Sequence, residues 1–367
     1  LQVNKRISIL LVGLFLALLS LQAFYPPILL AQTPVPTEPP LRTFTAPPAL
    51  TARAAFAIDS DTGRVLFNKE SSNRLPMAST TKIMTALTLF DVPNLNLEDT
   101  AIVIKDDLVG EANMGLQVGM RVKIITLLYG LMLASANDAG MTLARYAGSK
   151  LPGNDEPIKK FTNRMNTLAG KLGLKNSNFT NPHGLDEDTH YSSAEDLAIA
   201  GWYAMQNKTI ASIVRLSEAN INGTSFYNIT NFIRRYPGAN GIKPGETDKA
   251  GLCIVASANR YRRNAIVVLL NSPGMRTESD LLMDYAFNQI FAGNNPTGST
   301  PPVTATLTQT SPPTLNPTAT VAPVIVSRNE YIGLPLGDRL LPFRNEATRN
   351  VVLDNFEMYL PQFIGKP

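Results

Sequence analysis

The sequence has one cysteine, Cys253, two histidines and one tryptophan in 367 residues. A lone cysteine excludes a disulfide framework and a thiolate metal cage. The histidines, His183 and His190, lie in no H-E-x-x-H pattern, and no D-x-D-x-D-G run exists, so no metal and no cofactor are expected. Charge of one sign is also scarce. Lys+Arg total 33 against Asp+Glu 29, a net charge of +4, and no basic stripe alternates with aromatics. Nucleic acid is therefore not an expected partner. Internal repeats are absent. One long apolar run stands out: Lys5 and Arg6 precede "ISILLVGLFLALLSLQA", the length of a signal-peptide core or a short membrane span. The expectation is an export signal over residues 1–31, cleaved after Ala31, with an uncleaved membrane anchor as the alternative.

What is present suits one large domain, since 44% of the residues are hydrophobic. Residues 32–50 read as a Pro/Thr-rich spacer and 51–293 as the globular block. "TARAAFAID" and "GRVLFN" form a hairpin pattern about the turn at residues 60–63. "STTKIMTALTLF" is helical and stops before Asp91-Val92-Pro93. "RVKIITLLYGLMLAS" is apolar nearly all round and predicts a buried helix. Further helices are expected over "AGMTLARYAGS", over "IKKFTNRMNTLAGKLG" ending at Gly173, and over "SAEDLAIAGWYAMQ". The last opens on a capping box from Ser193 to Asp196 or from Ser192 to Glu195. β-rich runs follow, "AGLCIVASA" and "AIVVLLNS", separated by a polar turn at residues 259–264. A final helix spans "TESDLLMDYAFNQIF". Strands at both ends with helices between predict an α+β fold, an antiparallel sheet assembled from both ends of the domain around an inserted helical lobe. Residues 294–322 have the Thr/Pro composition of an extended linker, and 323–367 form a short tail.

The chemistry begins at "LPMASTTKIMTAL", where Ser79 and Lys82 stand three residues apart. On a helix such residues share a face. A serine hydroxyl is a weak nucleophile near neutral pH and needs a base within hydrogen-bond reach. A lysine serves only when neutral, so burial or a nearby cation must lower its pKa. By itself the S-x-x-K spacing is weak, because many helices contain it by chance. Two later stretches add weight. Ser135-Ala136-Asn137 directly follows the all-apolar helix, well placed to face a cleft. Lys243-Pro244-Gly245 is expected to open a strand.

The order S-x-x-K, S-x-N, K-x-G resembles the motif set of penicillin-binding proteins and class A β-lactamases. "PMASTTKIMTAL", "LQVGMRV", "LLYGLMLASANDAG", "NPHGLDEDTHYSSAEDLA" and "NGIKPGETDKAGLC" together resemble the D-alanyl-D-alanine carboxypeptidases of low molecular mass, over about residues 52–292. The resemblance implies the β-lactamase/transpeptidase-like version of the expected fold. It implies an exported serine peptidase of the cell envelope that acts on peptidoglycan stem peptides ending in D-Ala-D-Ala and is inhibited by β-lactams. It gives Ser79 the attack on the peptide carbonyl and Lys82 the proton transfers. Ser135 would protonate the leaving amine, and Asn137 would hold the substrate amide or support Lys82. Lys243 would keep Lys82 neutral and attract the substrate carboxylate. Gly245 lies within the third motif. The oxyanion would be held by the N–H groups of Ser79 and Glu246. Arg276 and Thr247 are further candidates for the carboxylate.

One position departs from that pattern. The family's third motif is Lys-Thr-Gly, and here Pro244 takes the middle place. Proline cannot donate to a β-ladder and belongs on an edge strand. The missing threonine hydroxyl favours an alternative, a cell-wall-binding protein of weak or lost activity. A β-lactamase is disfavoured, because "NPHGLDEDTHYSSAEDL" lacks the E-x-x-x-N pattern that would supply a base for fast deacylation, although Glu187 and Glu195 are nearby. For the remaining singular residues the expectations are structural. His183 belongs to a turn, His190 to a loop or the surface, Cys253 to an inert core strand, and Trp202 to packing.

Overall fold

The computed structural model describes residues 39–292. The export segment, the start of the spacer, the linker and the tail expected from the sequence lie outside the described residues. In chain order, β1 (Ala54–Asp59) and β2 (Val65–Lys69) form the expected hairpin. Ala78–Thr81 is a 3-10 turn that runs into α1 (Lys82–Phe90). A small ribbon follows, β3 (Thr100–Ile102) with β4 (Arg121–Lys123). The helical lobe comprises α2 (Ile124–Met132), α3 (Asn137–Ser149), α4 (Pro157–Lys171), α5 (Ala194–Gln206) and α6 (Lys208–Val214). A second ribbon, β5 (Glu218–Ile221) with β6 (Thr224–Tyr227), and the short α7 (Asn231–Arg235) lead to β7 (Ala239–Thr247), β8 (Gly251–Arg260), β9 (Arg263–Leu270) and α8 (Met275–Ala292).

The main sheet has the order β2-β1-β9-β8-β7, and every neighbouring pair is antiparallel. β1 pairs with β9, so both ends of the domain meet at the sheet's centre. Side chains alternate faces along each strand. Phe56 and Ile58 of β1, Cys253 and Val255 of β8, and Ile266 and Val268 of β9 join the core under the helical lobe. Their neighbours Ala55, Ala57, Ile254, Ala256, Val267 and Leu269 join a second core with Leu282, Met283, Tyr285 and Phe287 of α8. Covering both faces explains why β8 and β9 read as unbroken apolar runs rather than as alternations. Leu41 and Phe44 also pack on the α8 side, and Phe44 meets the Tyr285 ring edge-on at 5.4 Å.

Local chemistry accounts for the boundaries. Ser193 caps α5, its Oγ accepting from Asp196 N at 3.2 Å, so the first of the two capping registers forms. Ser192 instead exchanges backbone hydrogen bonds with Leu75, which ties the start of α5 to the segment leading into Ser79. The helix expected from Arg121 starts at Ile124, because Arg121, Val122 and Lys123 pair with β3. β8 and β9 turn through Tyr261 and Arg262, with φ of +50° and +62°, the geometry of a tight two-residue hairpin without glycine. Lys243-Pro244-Gly245 does not open a strand. β7 starts at Ala239, already paired with Ala258, so the motif falls in its second half. β7 is the sheet's edge, which is where a strand tolerates proline.

Candidate active site

Three segments converge on Lys82. Within residues 77–90 every residue except Ser79 is buried, so Ser79 alone of that run reaches the surface of the cleft. The 3-10 turn places Ser79 one tight turn ahead of Lys82, and Lys82 Nζ lies 2.7 Å from Ser79 Oγ. Nζ also lies 2.7 Å from Asn137 Oδ1 and 2.7 Å from the His183 carbonyl oxygen. Lys82 has no exposed surface. Burial drives its pKa well below the ordinary lysine range, the nearby Lys243 lowers it further, and Asp138 pulls the other way. A neutral amine has two N–H bonds and one lone pair. In its neutral form the two carbonyl oxygens, which can only accept, would take both N–H groups and leave the lone pair for the Ser79 hydroxyl. That arrangement is suited to removing the serine proton.

Ser135 and Asn137 stand where α2 hands over to α3. Ser135 is buried with φ of +60°, an uncommon backbone state for serine, and it bends the chain so that Asn137 opens α3. The Asn137 N–H donates to Ala112 O at 2.7 Å. Asp138, also buried, accepts from the N–H groups of Met114, Leu116 and Ala139. The loop before β4 is thereby pinned beside Asn137. Gly110 shows how tightly: a Cβ there would stand 2.6 Å from Asn137 Nδ2.

Lys243 and Gly245 come from β7, and pairing with Val255 and Cys253 turns both toward the helical lobe. Lys243 has no exposed surface, and burial lowers its pKa to about 7. Its Nζ donates to the Pro244 carbonyl at 3.3 Å. Gly245 is required by close approach. A Cβ there would lie 2.6 Å from Ser79 N and 3.0 Å from Thr80 N, so only glycine lets the strand edge close on the nucleophile turn. Pro244 is half-buried and pairs with Ile254 on the sheet's free edge. Glu246 is exposed.

Two candidates for the carboxylate sit differently. The Thr247 hydroxyl donates to Asp186 Oδ1 at 2.7 Å and accepts from Ala250 N, so it closes the β7–β8 turn onto the loop that carries His183. Arg276 lies exposed in the first turn of α8, its carbonyl accepting from the Arg235 guanidinium.

Sequence reasoning passed over several parts of this region. The His183 contribution is its main-chain oxygen, which a motif of side chains does not display. His190 is not a surface residue. It is 3% exposed, hydrogen-bonded to Thr81 at 2.8 Å, and burial lowers its pKa to about 4. The signal was the Asn-Pro-His-Gly run, in which Gly184 has φ of +92° and a Cβ would overlap the Ala78 carbonyl oxygen. Cys253 is buried, and burial raises its thiol pKa to about 12, as expected of an inert core residue. Trp202 packs edge-on to Tyr203 and donates to Ser60 O. Among the described residues no cluster of three or more His, Cys, Asp and Glu side chains could hold a metal ion.

Comparison with known proteins agrees with this geometry. A family model described as D-alanyl-D-alanine carboxypeptidase matches residues 42–274. The D-alanyl-D-alanine carboxypeptidase DacF of Bacillus subtilis is 34% identical over 254 residues, covering 65% of this chain and 62% of that protein. The D-alanyl-D-alanine carboxypeptidase of Streptomyces sp. strain K15 is 31% identical over 258 residues, covering 65% of this chain and 88% of that one. The crystal structure of the Streptomyces K15 DD-transpeptidase superposes with a TM-score of 0.62 at 31% identity, over 66% of this chain and 99% of the other. A D-alanyl-D-alanine carboxypeptidase structure from Mycobacterium tuberculosis H37Rv gives 0.60 at 28% identity, over 72% and 99%. The fold is thus the α+β architecture of these peptidases.

Proposed function

The chain belongs to the D-alanyl-D-alanine carboxypeptidase family, and from that premise we propose that it is a serine carboxypeptidase of the cell envelope. Its substrate would be a peptidoglycan stem peptide ending in D-Ala-D-Ala. The observation that carries the reading is the Lys82 amine, buried and held by two carbonyl oxygens, with Ser79 Oγ at 2.7 Å.

In this reading the Ser79 proton passes to Lys82 Nζ as Oγ attacks the carbonyl carbon between the two D-alanines. The oxygen becomes negative, and the N–H groups of Ser79 and Glu246 stabilise it. The C–N bond then breaks. Ser135 delivers its hydroxyl proton to the departing D-alanine amine and receives in its place the proton that Lys82 took from Ser79, which leaves Lys82 neutral again. A water, deprotonated by Lys82, cleaves the ester and regenerates Ser79. Lys243 supplies positive charge that attracts the substrate carboxylate and disfavours a second charge on Lys82. Arg276 adds cationic charge from α8. Thr247 supports the site through Asp186.

Substrate chemistry puts the reaction outside the cytoplasmic membrane, and the basic-then-apolar N-terminal run supports export. No helix among the described residues is long and apolar enough to cross a membrane. Pro244 supports a second reading, a cell-wall-binding protein with reduced turnover. The test is release of D-alanine from a D-Ala-D-Ala peptide by the wild type and by Ser79→Ala. Release that vanishes in the variant supports the carboxypeptidase reading. Peptide binding without release favours the second.

A further inference from the structure

We infer that Thr81 and His190 are positioning residues that aim the Ser79 backbone N–H at the reacting oxygen. The inference rests on the reading above, in which that N–H is an oxyanion donor.

Thr81 Oγ1 lies 2.8 Å from the Ala78 carbonyl oxygen and 2.8 Å from His190 Nε2. A carbonyl oxygen only accepts, so the threonine proton goes to Ala78 O. His190 must then present Nε2–H to the threonine oxygen. At the other end of the ring, the Thr180 N–H donates to His190 Nδ1 at 3.0 Å. One nitrogen donates and the other accepts, which defines the neutral ring in a single tautomer. The ring is buried, edge-on to Phe179 at 6.1 Å between centroids.

The consequence lies in the peptide unit. Ala78 C=O and Ser79 N–H belong to one planar group and point in opposite directions. Whatever fixes the oxygen fixes the N–H. Fixing is needed, because Ala78 has φ of +50°, a backbone state that alanine seldom adopts without support. Gly184 lies across the same oxygen, leaving no room for a Cβ. On the opposite side Gly245 approaches Ser79 N, so β7 closes over the N–H end of the peptide. The chain from Thr180 through His190 and Thr81 to Ala78 therefore anchors the peptide from behind. Lys82 is held by a separate set, Asn137 Oδ1 and His183 O. Oxyanion alignment and proton removal can be perturbed independently.

The test uses the full chain with paired variants. Thr81→Val removes the hydroxyl at nearly constant volume, and Thr81→Ser retains it. His190→Phe removes the donor and keeps a ring against Phe179, and His190→Gln retains an N–H. Three quantities are read: the second-order rate of acylation by benzylpenicillin across pH, KM and kcat on a D-Ala-D-Ala peptide, and affinity for a peptide boronic acid whose serine adduct mimics the tetrahedral oxyanion. Losing an oxyanion donor outright slows a reaction by about 10²–10³-fold, so misaiming one should lower acylation, kcat and boronate affinity by roughly 10- to 100-fold. KM and the apparent pKa of the acylation profile should stay within the scatter of the wild type. Thr81→Ser and His190→Gln should recover most of the loss. Wild-type rates in both Thr81→Val and His190→Phe overturn the inference. So does a loss in Thr81→Ser as large as in Thr81→Val, or a loss that appears in KM alone. If one deletion variant fails to fold, the other pair decides the question by the same criteria. Failure of the underlying reading shows separately, as penicillin labelling that persists in Ser79→Ala.

Discussion

Replacing Lys243 by methionine should stabilise the fold while damaging the site, and the gain should depend on pH. Lys243 is fully buried, and its pKa falls from 10.5 to about 7 because the charged form loses its water. Each unit corresponds to about 1.4 kcal/mol, so the charged residue opposes folding by about 5 kcal/mol as an upper value. Below pH 7 both native and unfolded chains carry the ammonium, and the full opposition is present. Between pH 7 and 10.5 the unfolded chain binds a proton that the native chain lacks, so stability rises with pH. Above 10.5 both are neutral and the opposition is gone. Lys243→Met should therefore gain several kcal/mol at pH 6 and little at pH 10. Lys82 adds in the same direction, because losing the neighbouring charge raises its depressed pKa. Urea midpoints at the two pH values measure the gain at constant m-value. Acylation by penicillin should slow, and its apparent pKa should move up. A stability difference that does not vary with pH, or an unmoved acylation profile, would refute the reasoning about both lysines.

Gly245→Ala should separate β7 from the nucleophile turn, since the new Cβ would lie 2.6 Å from Ser79 N. Relieving that overlap by moving the strand should slow acylation by about 100-fold, at a stability loss of about 1–3 kcal/mol; near-normal acylation would mean that the approach of β7 is not needed. Pro244→Thr should raise kcat/KM on a D-Ala-D-Ala peptide, because a hydrogen bond to a charged carboxylate is worth about 1.5–3 kcal/mol, roughly 10- to 150-fold. The gain should fall away for the same peptide amidated at its C-terminus. Equal gains on both peptides would mean that residue 244 never meets the carboxylate.

The sequence displayed those parts of the fold whose pattern is long. β1 and β2, the lobe helices α2 to α5, β8 and β9 all carried enough apolar residues to be read, whereas the short α6 and α7 did not. The ribbons β3–β4 and β5–β6 did not, since strands of three and four residues show too little of a period to separate from loop. β7 hid its first four residues for another reason. Ala239, Asn240 and Gly241 have weak strand preference, and the segment is held by pairing with β8. At the site, side-chain motifs named Ser79, Lys82, Asn137 and Lys243, which the structure gathers around one buried amine or its neighbouring strand. Main-chain groups show in no side-chain motif. The N–H groups of Ser79 and Glu246 were expected only through the family resemblance, and the His183 oxygen that accepts from Lys82 was not expected at all. His190 reads as a loop or surface residue in sequence because burial of a polar ring depends on its partners, here Thr81 and Thr180, which come from two different segments.

The central claim is that Ser79 is a nucleophile whose proton Lys82 removes. Mass spectrometry after exposure to benzylpenicillin tests it most directly. The expected result is one covalent adduct of the intact drug, mapped to the peptide carrying Ser79, absent from Ser79→Ala and formed far more slowly by Lys82→Met. An adduct on another residue, labelling of Ser79→Ala, or a Lys82→Met variant that reacts at the wild-type rate would contradict it.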